Sequence, residues 1–144
     1  MSAFDPSRPR YTLSLAGKNY ELLGTFELIE AVEHALQDHI GSIAVRVVGN
    51  LPTYGLAKVV SAVLTSCGHK MTAKEAGDLL FGDVGATGEA NDALRMHLYA
   101  FLSITLAPPA AREQKAKEMG ELLGKLTEAV ASPGSNTEGS LSAT

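Results

Sequence analysis

Hydrophobic and polar positions alternate near the start of the chain and take a helical period afterwards. YTLSL at 11–15 and YELL at 20–23 are short β-leaning runs. Ala16-Gly17-Lys18-Asn19 lies between them, with glycine and asparagine where a tight turn needs them, so the segment predicts a β-hairpin. An isolated hairpin is marginal and must pack on something else. Thr25 is an N-cap candidate for a helix reaching about residue 38. Leu28, Ile29, Val32, Ala35 and Leu36 share one face, and Glu27, Glu30, His34, Gln37 and Asp38 the other. Gly41 is its expected terminator. The run SIAVRVV at 42–48 suits a strand by its β-branched content, but its place between caps favours a short helix. Asn50-Leu51-Pro52 then breaks the chain.

A second helix is predicted over 53–67, with Leu56, Val59, Val60, Val63, Leu64 and Cys67 on one side and Lys58, Ser61, Ala62 and Thr65 on the other. Gly68 stands where a C-terminal glycine cap belongs. Thr72-Ala-Lys-Glu75 matches a capping box and opens a helix to about residue 81. A glycine-rich loop over 82–88 precedes a helix at 89–106 that is apolar almost all round and ends before Pro108-Pro109. Residues 110–130 predict a charged amphipathic helix with a narrow stripe of Met119, Leu122, Leu123, Leu126 and Val130. Its stripe offers little burial against the entropy of ordering it, so this helix is expected to be separable from the domain. The expected organisation is a flexible arm at 1–9, a domain at 10–109, the charged helix at 110–130 and a disordered tail at 131–144. The fold class is mainly α: a small helical domain with an N-terminal β-hairpin, a C-terminal extra helix and the tail.

Composition adds constraints. The 144 residues are 45% apolar and 19% charged, enough for one domain with a real core. The net charge of −4 argues against a dedicated nucleic-acid binder. A single cysteine, Cys67, allows no intramolecular disulfide. The N-terminus has no apolar signal region. The apolar run at 96–107 is well short of the ~20 residues that span a bilayer. The expectation is a soluble cytoplasmic protein with no membrane partner.

Candidate chemistry is thin. Cys67 and His69 are two metal-ligand types, but nothing nearby completes a set of four, and Cys67 reads as a core cysteine. His34 and His39 read as surface residues. His97, among Leu94, Phe101 and Ile104, reads as a hydrogen-bonded core histidine, since no nucleophile motif accompanies it. The loop at 82–88 follows a helix and lacks the Lys of a phosphate-binding loop, so it reads as structural. Glu27, Glu30 and Glu33 read as a solvated face. The helix pair around 66–71 has the outline of a helix-turn-helix, but Lys70 and Lys74 are offset by Glu75 and Asp78. No catalytic residue, cofactor or metal site is expected, and binding to other proteins is.

The order of elements resembles the gene-transfer-agent family of phage tail assembly chaperones. YTLSLAGKNYELLG resembles the family's opening hairpin, TFELIEAVEHAL its helix with a central acid, LAKVVSAVLTSCGHKMTAKEAGDLL its Gly-turn and capped helix, and ALRMHLYAFLSITLAPP its last apolar helix. The resemblance covers about 10–109. SIAVRVVGNLPTYG has more β-branched residues than the family pattern, and the chain after Ala110 extends past it. The resemblance implies a protein of the bacterial host cytoplasm that binds the tape-measure protein and tail-tube subunits during tail assembly, without catalysis. A structural tail-tube component is the alternative within the family, a helix-turn-helix DNA-binding regulator the one outside it, and an enzyme the third; a homo-oligomer stays open. If the 89–106 helix is incompletely covered, Met96, Tyr99 and Leu102, away from the Leu94–His97–Phe101–Ile104 face, are the expected partner-binding residues.

Overall fold

The structure, a computed structural model, describes residues 5–131, with side chains described through residue 124. The tail from 132 onward lies outside the described residues. The fold is mainly α with an N-terminal hairpin. Strands β1 (Arg10–Leu15) and β2 (Lys18–Leu23) pair antiparallel, with Leu13 opposite Tyr20 and Leu15 opposite Lys18. The turn is tighter than the predicted four-residue loop: Ala16 and Gly17 alone make it, both at positive φ (54° and 80°), which is what a two-residue hairpin turn demands. Leu13, Leu15, Tyr20 and Leu22 are buried on one face. Thr12 and Ser14 donate to Glu21 and Asn19 on the other.

Helix α1 (Phe26–Leu36) is capped by Thr25, whose hydroxyl accepts from the Leu28 amide at 3.1 Å. It ends at Gln37, not at Gly41. Gln37 takes the left-handed conformation (φ 52°), and its side-chain amide donates to the His34 carbonyl at 2.8 Å, so the last turn is closed before any glycine is reached. Gly41 instead lies inside α2 (Ile40–Val47). This segment is helical despite its β-branched residues because its amino end is well capped. The Glu33 carboxylate accepts from the Ile40 amide at 3.0 Å, and His39 Nδ1 from the Gly41 amide at 3.0 Å. Asp38 accepts from the His39 amide and pairs with Arg46 at 3.2 Å. Ile40, Ile43, Ala44 and Val47 then fall on one buried face.

Helix α3 (Thr53–Ser66) closes in a Schellman turn: Gly68 has φ +89°, and the His69 amide reaches back to the Leu64 carbonyl. The Thr72–Glu75 capping box opens α4 (Ala73–Leu79), which runs on through a π-helical turn (Leu80–Val84), past the predicted stop, until Gly85 at φ +98°. Helix α5 (Glu89–Leu106) is followed by a short 3₁₀ turn (Pro109–Ala111) and α6 (Arg112–Ala131).

α1 and α4 pack on α3, while β1, α2 and α6 pack on α5. One core joins the elements from β1 to α5, including Leu13, Leu28, Ile43, Leu56, Leu80 and Phe101. Among the described residues no helix is long and apolar enough to cross a membrane. The expected arm is tied down at its inner end: Pro9 is buried, and its carbonyl accepts from the Gly24 amide at 2.8 Å.

Gly24 is required by space. An added Cβ would sit 2.5 Å from Thr105 Oγ1 and 2.8 Å from Pro9 Cγ. Thr105 Oγ1 is itself buried without a hydrogen-bond partner among the described residues. Gly24→Ala is expected to cost about 1–3 kcal/mol through overpacking. Adding Thr105→Ala should recover part of that loss, because it removes the closest clashing atom. A urea double-mutant cycle measures the coupling, and strictly additive losses would contradict it.

Candidate partner-binding surface

The three residues expected on an exposed side of α5 do not share one. Leu102 is fully buried, whereas Met96 and Tyr99 are half-buried. The correction has a definite cause. α6 packs back along α5, and β1 and α2 cover other sides, so Ala100, Phe101, Leu102, Ile104 and Thr105 are all enclosed. Apolar residues all round α5 therefore reflect its central position rather than an interface.

The histidine and cysteine positions serve the fold. His97 Nδ1 and the Tyr11 hydroxyl are 2.7 Å apart, joining α5 to β1 across 86 residues. Tyr11 also packs against Phe101. Burial pushes the Tyr11 phenol up to about 12 and the His97 imidazole below its usual value. His97 borders a cleft also lined by Asp83. Cys67 and His69 both bond the backbone of β2: Cys67 Sγ accepts from the Leu23 amide at 3.3 Å, and His69 Nε2 lies 2.9 Å from the Glu21 carbonyl. Together they stitch the end of α3 to the hairpin. Among the described residues, no three His, Cys, Asp or Glu side chains are grouped to hold a metal.

Signs of the two shifts fix a pH window. His97 binds a proton less readily folded than unfolded, so stability falls as pH drops below 6.5 and levels off below the depressed folded value. Tyr11 ionises less readily folded, so stability falls as pH rises from 10 towards 12. Urea midpoints across pH should therefore plateau between these limits. Tyr11→Phe should flatten the alkaline arm, and His97→Gln the slope just below 6.5.

The glycine loop is held from within. Asn91 is buried, donates to the Gly85 carbonyl at 2.8 Å and accepts from Arg95 Nε. Arg95 in turn donates to the Val47 carbonyl at the end of α2. In α4, Lys74 is paired with Asp78 at 3.3 Å, which leaves that helix little positive charge for phosphate.

An open surface lies elsewhere, between α1 and α3. The bonds between Leu23 and Cys67 set the start of α1 beside the end of α3, and the two helices pack on each other. Their outer faces line a groove of about 570 Å³. Glu27, Glu30, Ala31, His34 and Ala35 form one wall, and Lys58, Ser61, Ala62, Thr65 and Ser66 the other, with Ala73 at the start of α4 also lining it. The acids of α1 divide in two. Glu33 and Asp38 are engaged at the amino end of α2, whereas the Glu27 and Glu30 carboxylates have no hydrogen-bond or ion-pair partner among the described residues. Phe26 at the start of α1 and Tyr54 at the start of α3 are 72% and 71% exposed. Lys58, Ser61, Ala62 and Thr65 are the polar side of α3 that the sequence predicts. The missed signal was that this outward face carries small side chains and only one charge. Comparison with known protein families, with curated proteins and with solved structures returns no match for this chain.

Proposed function

We propose that the protein is a tail assembly chaperone of a phage, prophage or gene transfer agent, working in the host cytoplasm by binding the tape-measure protein and tail-tube subunits. The observation that carries this reading is the succession of elements over 10–109. A hairpin, an acid-bearing helix, a helix closed by a Gly turn, a capped helix and a central apolar helix follow in the order on which the family resemblance rests, with the short α2 between the first two helices of that series. The open groove beside the acidic helix supports a binding role, since helix-in-groove recognition asks for such a surface. No catalytic step is part of the proposal.

The test is co-expression with a tape-measure protein from the same genome, followed by co-purification and by a search for the protein in finished particles. Capture of the tape-measure protein together with absence from particles supports the chaperone reading. Stable retention in particles favours the structural tail component. Failure to bind either tail protein overturns the proposal.

A further inference from the structure

We propose that the α1–α3 groove receives a single α-helix of the partner, with small residues facing the groove and Lys or Arg along the flank that lies against α1. This rests on the tail-assembly reading and adds the chemistry of the partner and the place where it docks.

Each wall is one helical stripe. Positions 27, 30, 31, 34 and 35 follow the i, i+3, i+4, i+7, i+8 pattern, and so do 58, 61, 62, 65 and 66. Each stripe is therefore about 12 Å long, or roughly two helical turns. The lining includes Ala31, Ala35, Ser61 and Ala62, whose side chains are short. A third helix can approach to the ordinary interaxial distance of about 8–10 Å only over such side chains.

Charge selects the occupant. Residues 25–39 hold four acids and no Lys or Arg. The two acids not engaged by α2, Glu27 and Glu30, stand on the α1 side, while Lys58 stands on the α3 side with its ammonium 5.8 Å from the Tyr54 ring centroid. A helix with basic residues on one flank and an acid opposite Lys58 would meet both edges in a single orientation. The same acids repel a phosphate surface, which sets nucleic acid and anionic lipid aside. This chain's own α6 is engaged on α5.

The experiment titrates the full-length protein into two labelled helical peptides of about 18 residues, or five turns. They share an Ala/Ser face and differ in carrying Lys or Glu along one flank. The Lys peptide should bind at least about 10-fold tighter at low salt, and added salt should erode the difference. Ala62→Arg fills the floor and should abolish binding. Glu27→Lys/Glu30→Lys changes exposed positions only and should reverse the preference, so it reads the proposal even if Ala62→Arg fails to fold. Equal affinity for both peptides, no binding, or binding indifferent to these variants overturns the groove. So does a dimer of this chain that Ala62→Arg dissolves, because a second copy would then be the occupant. If the tape-measure protein is captured equally by wild type and Ala62→Arg, the groove proposal fails and the tail-assembly reading stands. If nothing is captured while the Lys peptide keeps its preference, the tail-assembly reading fails and the groove remains.

Discussion

Leu102→Asp is expected to abolish the cooperative melt of the protein. The Leu102 side chain is fully enclosed in the C-terminal half of α5, between neighbours that are themselves buried. Removing a buried leucine costs about 2–5 kcal/mol through lost transfer energy and the cavity left behind. A carboxylate in that space has no cation among its buried neighbours, and its desolvation adds several kcal/mol more. The total is of the same order as the roughly 5–15 kcal/mol that holds a typical domain together. Far-ultraviolet circular dichroism against temperature reads the result directly. Tyr99→Ala is the matched control: Tyr99 is half-buried, so this change should leave a cooperative melt at a moderately lower midpoint. A Leu102→Asp protein that melted close to wild type would mean that the last turns of α5 are open after all. The contrast also decides which α5 variant is usable in a capture assay, since loss of binding by an unfolded chain says nothing about a surface.

The local signals in the sequence were read correctly where the stabilising partner lies within a few residues. The Thr25 cap, the Thr72–Glu75 capping box and the Gly68 turn are all of this kind. Misreadings begin where the partner is distant. The end of α1 depends on Gln37 reaching His34, a conformation few non-glycine residues adopt, so glycine was the natural guess. α2 owes its amino cap partly to Glu33, seven residues upstream on another helix. His97 was recognisable as a hydrogen-bonded histidine, but its partner Tyr11 was not, because nothing in the spacing links a strand residue to one 86 positions away. The same limit applies to the binding surface. Each wall of the α1–α3 groove is visible in the sequence as a helix face, whereas their juxtaposition comes from the packing of α1 on α3. The enclosure of Leu102 is hidden for a related reason: it shares a core with strand and helix residues from far upstream in the chain.

That extension supplies the second large effect. Truncation after Pro109 is expected to destabilise the domain severely, whereas truncation after Gly124 should be tolerated. The difference lies in Arg112, at the first turn of α6. Its guanidinium donates to the Ala107 carbonyl at 3.0 Å, the Thr105 carbonyl at 2.9 Å and the Pro6 carbonyl at 2.6 Å. The last carbonyls of a helix lack partners within it, and that end carries partial negative charge, so a cation placed there satisfies both needs. Hydrogen bonds from a charged donor contribute about 1.5–3 kcal/mol each. Arg112 is half-buried, and solvent screening reduces its sum to roughly 2–4 kcal/mol. Met119 and Leu123, half-buried on the same side of α6, add on the order of 1–2 kcal/mol. Urea denaturation of the full chain, the two truncations, Arg112→Ala and Arg112→Lys separates these contributions. Arg112→Lys should fall between wild type and Arg112→Ala, because an ammonium keeps the charge but cannot fork across three carbonyls. If the chain ending at Pro109 unfolds at the same urea concentration as the full chain, α6 is the independent appendage that its polar composition first suggested, and the enclosure of α5 must come from β1 and α2 alone.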